Sequence, residues 1–243
     1  MPPTLGVQAL AGKSKYAKRL DEIQAHLRPG LKEQGFKVRG RTFNRPHPDG
    51  LVDVVNFQMG PYDLPTTTYH PGLRENLYGL FTVNLGVFVP EVALYADEFE
   101  PKSWVQEYHC SVRARLGELG PEAEDAWWPL KRRWSRVAAT IGGLLEIRAY
   151  PFFQRFGSRE AILSELREEE FSPYAHPTSP IVCGTLMAVS GRESEARALL
   201  ARQTETADPG HIEYLEEVAD RLGLGELVTP NKGMQSVNAK RCR

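Results

Sequence analysis

The sequence predicts an α+β fold: an antiparallel meander of at least four strands packed on an N-terminal helix, followed by an all-helical segment. Three observations carry this. Phe81-Thr-Val-Asn-Leu-Gly-Val-Phe88 alternates apolar and polar or small side chains, as a half-buried strand does. Residues 13–34 instead place Tyr16, Leu20, Ile23, Leu27 and Leu31 at helical spacing. Beyond residue 129 the pattern is helical throughout, punctuated by Gly and Pro. These shifts divide the chain into a sheet domain over 13–128 and a helical segment over 129–226 packed on it. The tails 1–12 and 230–243, the second of them polar and basic, read as disordered.

Each element follows from local chemistry. Ser14 caps the first helix, Pro29-Gly30 predicts a kink or restart, and Gly35 suits its end. One strand is expected from Phe36 to about Asn44. Arg45-Pro-His-Pro-Asp-Gly50 is a turn, and Leu51–Gln58 is the next strand. Residues 59–78, rich in Pro, Gly and Thr, form a long loop. The alternating strand follows and stops at Pro90. After an acidic stretch over 90–104, a fourth strand is expected from about Val105 to Arg115. Helices are then expected over 129–149, Arg159–Glu170, Pro180–Ser190, Arg192 to about Glu205, and a last one carrying Ile212, Leu215, Val218 and Leu222.

Composition narrows the function. The net charge of −1 argues against a general nucleic-acid binder, yet it hides an asymmetry. Lys13–Arg45 holds ten Lys or Arg against three acids, whereas Gly157–Glu226 holds six Arg against fourteen acids and no Lys. The three cysteines, Cys110, Cys183 and Cys242, are too few and too scattered for a disulfide framework or a zinc site, which points to a reducing, cytoplasmic setting. There is no secretory signal pattern and no apolar run of membrane-spanning length. The six histidines lack metal-ligand spacing, and there is neither a phosphate loop nor a nucleophile elbow. No metal, cofactor or catalytic residue is expected.

Five phrases in order carry a family resemblance: Gly35-Phe-Lys-Val-Arg-Gly-Arg-Thr-Phe43, Val54-Val-Asn-Phe-Gln58, Phe81–Phe88, Arg113-Ala-Arg-Leu-Gly-Glu-Leu119 and Asp125-Ala-Trp-Trp128. Over about residues 13–170 the chain resembles the bacterial family called domain of unknown function 4304. The resemblance implies a bacterial α+β protein and transfers no catalytic residue. The phrase Gly191-Arg-Glu-Ser-Glu-Ala-Arg-Ala-Leu-Leu200 loosely resembles a tetratricopeptide-like helix pair, although one such unit is not an array.

Extending the strand alternation sorts the sheet into two faces. Leu51, Val55, Phe57, Phe81, Val83, Leu85, Val87, Tyr108, Cys110 and Val112 fall on an apolar face expected under the helices. Arg39, Arg41, Asn56, Gln58, Asn84, His109, Arg113 and Arg115 fall on a polar face, with Thr82 and Ser111. These eight are the candidate ligand-binding residues: guanidinium groups fit phosphate or carboxylate, and amides read hydrogen bonds. The competing reading is an ordinary wetted sheet face, with the arginines paired to Glu118, Asp125 or the acidic helices. Mid-strand amides still need a reason, because Asn disfavours strands. Trp127-Trp128 is either a stacking platform or, more simply, core packing. The ~7 Å spacing of alternate strand residues argues against a Ser111-His109-Glu107 triad.

The acids of the rear half suggest a second kind of site. Glu168, Glu169, Glu193, Glu213, Glu216 and Glu217 could dock a basic partner, with charge steering the encounter. The expectation is a non-catalytic protein-binding module, of the kind an immunity or antitoxin protein would be. The alternatives are an anion or polar-ligand site, or an enzyme, on the polar sheet face, and nucleic-acid binding by the basic segment 13–45.

Overall fold

A computed structural model describes residues 13–62, 68, 70, 76–97, 99, 104–122, 124–131, 133–167 and 172–227. The fold is α+β. Helix α1 (Lys15–Glu33) is capped by the Ser14 hydroxyl, which accepts the Ala17 N–H. Pro29 sits inside it without ending it, so the expected restart does not occur. The expected single strand over 36–44 is a tight hairpin: β1 (Lys37–Arg39) turns at Gly40-Arg41 into β2 (Thr42–Pro46). Gly40 takes a φ of 63°, the left-handed conformation such a turn requires. Strands β3 (Val52–Met59) and β4 (Leu80–Phe88) are the long central pair.

Pro90 does more than stop β4. It opens a short helix, α2 (Pro90–Tyr95), that the sequence reading leaves as loop. Proline is well placed in a first helical turn, where its missing N–H costs nothing. The strand expected over 105–115 is also shorter. A 3₁₀ turn takes Glu107–His109, and β5 is only Val112–Arg115. A two-residue strand β6 (Trp128–Pro129) pairs with the start of β4. The sheet order is β1-β2-β3-β4-β5, every neighbour antiparallel, with β6 beside β5 along the same edge of β4.

The rest is helical. Helix α3 (Trp134–Leu144) passes through a π turn (Leu145–Ala149) into α4 (Tyr150–Arg155), followed by α5 (Arg159–Arg167). Then come α6 (Ser179–Val189), α7 (Glu193–Gln203) and α8 (Pro209–Arg221). Helices α6 and α7 pack on each other around the turn at Gly191. The expected tails 1–12 and 230–243 lie outside the described residues, as does Cys242.

One face of the sheet is the core. Val55, Phe57, Phe81, Val83, Leu85, Val87 and Val112 are fully buried in a cluster with Leu20, Ile23, Leu27 and Leu31 of α1, and with apolar residues of α3 to α8. Each such side chain contributes roughly 1.5–3 kcal/mol by leaving water. Two residues assigned to that face behave otherwise. Tyr108 is 64% exposed, and Cys110 is buried on the opposite face with Val54, Phe88, Ala93 and Val105. The cause is the 3₁₀ turn, which breaks the period-two alternation before β5 begins.

Candidate functional site

Strand register places four polar side chains in one row across the second face. Thr42 of β2 lies opposite Asn56 of β3, Asn56 opposite Asn84 of β4, and Asn84 opposite Arg115 of β5. The amides need no unusual backbone, because they hydrogen-bond to one another. Asn84 Nδ2 donates to Gln58 Oε1 at 2.8 Å and to Asn56 Oδ1 at 3.4 Å. Asn56 Nδ2 donates to Thr42 Oγ1 at 3.0 Å.

The row continues off the sheet. The Thr42 hydroxyl donates to Gln106 Oε1 at 2.8 Å, and the Gln106 N–H donates to His109 Nδ1 at 3.2 Å. Gln106 and His109 thus form a reciprocal cap around the 3₁₀ turn: the Gln106 side chain also accepts the His109 N–H. Segment 104–110 lies against this face of the sheet. Gly86 of β4 allows it to do so: a Cβ there would stand 2.6 Å from Cys110 Sγ and 2.7 Å from Cys110 Cβ. Further along, the Thr82 hydroxyl donates to the Ala126 carbonyl at 3.1 Å. Thr82 and Asn84 are buried, Asn56 is half-buried and Gln58 is exposed. The cover over Thr82 and Asn84 comes from loops, not from the helix over 129–149. That helix packs on α1 across the other face.

The structure therefore joins four of the eight candidate ligand-binding residues, Asn56, Gln58, Asn84 and His109, into one network. His109 belongs to a turn and not to a strand as the alternation suggested. Arg113 and Arg115 do lie on this face, but both have carboxylate partners. Arg113 Nε donates to Glu107 Oε1 at 2.7 Å. Arg115 pairs with Asp125, which also accepts from Trp127 Nε1, and its guanidinium lies 5.5 Å over the Trp127 ring. The next residue, Trp128, packs on Phe81 with ring centroids 6.0 Å apart, so the two tryptophans split between surface and core. Arg39 and Arg41 stand apart, at the exposed β1–β2 turn.

Sequence reasoning missed the connecting residues Thr42 and Gln106. It also missed a buried ion cluster on the helix-covered face. Asp53 is almost fully buried, and its Oδ2 accepts from Arg45 Nε at 2.8 Å and from His47 Nε2 at 2.7 Å. Arg45 stacks 4.8 Å over Phe36. The signal was present: Asp53 occupies an apolar register position between Leu51 and Val55.

Electrostatics concentrate around His109. Its ring stacks on Phe99 at 3.9 Å and meets Tyr108 edge-on at 4.4 Å. Burial holds its pKa below the usual histidine value, partly opposed by the Asp97 carboxylate. Burial raises the pKa of Asp97, against the pull of His176 and His109. Nearby on α8, burial and then Asp97 push the Tyr214 phenol up to about 12, and its hydroxyl donates to the Ala96 carbonyl. Burial also pushes the Cys110 thiol well above its usual range, which makes it a poor nucleophile.

Of the predicted acidic docking residues, Glu193, Glu213, Glu216 and Glu217 are exposed. Glu168 and Glu169 lie outside the described residues. The cations of α1 share its solvent side: at 100° per residue, Lys15, Lys18, Arg19, Arg28 and Lys32 fall within about a 180° arc opposite the buried stripe, with Asp21, Glu22 and Glu33 interspersed among them. Among the described residues no group of acids, histidines and cysteines could hold a metal ion, and no helix is long and apolar enough to cross a membrane.

The family model of a domain of unknown function (DUF4304) matches residues 73–155. This supports the resemblance over a narrower span than 13–170. It takes in β4, the 3₁₀ turn, β5 and the helix through α4, and leaves out the first helix and first three strands. No curated protein and no solved structure matches the chain.

Proposed function

We propose that this protein is a non-catalytic binding module whose last helix docks a basic protein partner, in the manner of an immunity or antitoxin-like protein. One observation carries the proposal. On α8, Leu215, Val218 and Ala219 are buried and face the core, while Glu213, Glu216, Glu217 and Asp220 are all exposed. At 100° per residue those four acids fall within about 100° of arc, opposite the apolar stripe. Arg221, the cation of this helix, reaches back to the Tyr95 carbonyl at 3.1 Å and to Glu217 at 3.1 Å. The stripe therefore presents net negative charge to solvent, a pattern that steers a basic partner. Glu193 adds an exposed acid in the first turn of α7. Pairing of Arg113 and Arg115 with Glu107 and Asp125 makes an anion site on the sheet the weaker reading.

The test is capture from lysate of the native cells with wild-type protein and with Glu213→Lys/Glu216→Lys/Asp220→Lys side by side. A basic protein held by the wild type, lost from the variant and weakened as salt rises from about 0.05 to 0.5 M would support the proposal. A partner retained equally by both proteins, or no protein partner at all, would refute it.

A further inference from the structure

The network on the sheet has a direction. Asn84 donates to Asn56, Asn56 to Thr42, Thr42 to Gln106, and the Gln106 N–H to His109. The side-chain row ends on the Gln106 Oε1 acceptor, and the Gln106 backbone N–H makes a separate bond to Nδ1 of His109. That bond requires a neutral ring with its proton on Nε2. A second proton, on Nδ1, would face the Gln106 N–H donor to donor across 3.2 Å. The reciprocal cap would then lose one of its two bonds.

We propose that His109 is a proton-operated latch on the 3₁₀ turn: neutral, it closes the turn that aims Gln106 at Thr42; as imidazolium, it opens that turn and frees Gln106 from the end of the row. The rest of the segment stays anchored while the turn opens: the Ser111 N–H to Val87 carbonyl bond at 3.1 Å, the Arg113–Glu107 pair at 2.7 Å and a small apolar cluster separate from the main core do not involve the imidazole.

The charged and titratable neighbours come from five places in the fold. Asp97, just past α2, favours the imidazolium and is itself shared with His176 of the 172–178 loop. Glu107, on the same turn, is held by Arg113 of β5. Tyr214 and Arg221 of α8 reach the Ala96 and Tyr95 carbonyls beside Asp97. Tyr108 and Phe99 flank the ring without charge. Burial outweighs Asp97 and lowers the His109 pKa. The sign follows: a group with a depressed folded pKa is clamped above its ordinary value of about 6.5 and loses the clamp as pH falls through the folded value.

Amide hydrogen exchange of Gln106, His109 and Cys110 tests this at about pH 7.5 and about pH 5, corrected for intrinsic rates. In the wild type their protection is expected to fall about tenfold at the lower pH, the equivalent of one neutral hydrogen bond lost. Amides of β3 and β4 should stay protected. His109→Gln keeps a neutral acceptor in the cap and should hold its protection at both pH values. Wild-type protection equal at both pH values would overturn the latch. So would an equal loss in His109→Gln, or a parallel loss in β3 and β4 that marks global unfolding.

Discussion

The two faces of the sheet solve the same problem with different physics. The face toward α1 and α3 is closed by apolar side chains from eight helices, and its contacts are non-directional. The face toward residues 104–127 is closed by short loops: a small apolar cluster around Val54, Phe88 and Cys110 covers one part, and the rest is held by hydrogen bonds in register across three strands and a turn. An apolar face tolerates small shifts because each contact is weak and replaceable. A directional row does not: each amide has one productive orientation, and one change of protonation at His109 removes an acceptor from the turn that carries its last member. The first face fixes the fold, and the second is where the fold can respond.

The comparison breaks most readily at Phe81. It is fully buried, stacks on Phe57 with centroids 6.4 Å apart and meets Trp128 at 6.0 Å. Phe81→Ala should cost about 3–5 kcal/mol, the range for deleting a buried ring and leaving a cavity. Urea denaturation should show a lower midpoint with an unchanged slope. A loss below about 1 kcal/mol would mean that this face collapses around the gap and that its packing does not define the fold.

The next largest effect lies on the other face. Asn84→Ala removes the donor to both Asn56 and Gln58. Its cost should be about 1–2 kcal/mol, less than that of the ring, because Gln58 is exposed and can take water in place of the lost bond. A double-mutant cycle with Asn56→Ala should give a coupling of about 0.5 kcal/mol or more. Strict additivity would show that the row is a set of independent surface amides and would remove the cooperativity the comparison claims.

How much of this was legible in the sequence follows the same division. The apolar face could be read because alternation over Phe81–Val87 is a local pattern that burial imposes along one strand. The amides at 56, 58 and 84 could be flagged because they sit badly in strands. Their partners could not be found. Thr42 looks like any surface threonine, and its bond to Gln106 spans 64 residues. The turn at Glu107–His109 was hidden for another reason. Tyr108, Cys110 and Val112 sustain a strand-like pattern, yet the reciprocal Gln106–His109 cap satisfies the backbone better as a 3₁₀ turn. Asp53 was overlooked because a carboxylate in an apolar register makes sense only with Arg45 and His47 placed around it.

The smallest effect expected concerns the arginine at the open end of the row. Arg115 and Asp125 form an ion pair with side chains 33% and 45% exposed. Water screens such a pair, and ordering two mobile side chains costs entropy, so Asp125→Ala should change stability by no more than about 1 kcal/mol. Its effect should shrink further in about 0.5 M salt. What the substitution should change is the Trp127 indole, which loses its Nε1 hydrogen bond to Asp125 while keeping Arg115 above the ring. A shift in tryptophan fluorescence with little change in midpoint would place this pair at the rim of the polar face. A loss as large as that of Asn84→Ala would instead make Arg115 a full member of the row, which its register opposite Asn84 permits but its outward pairing with Asp125 argues against.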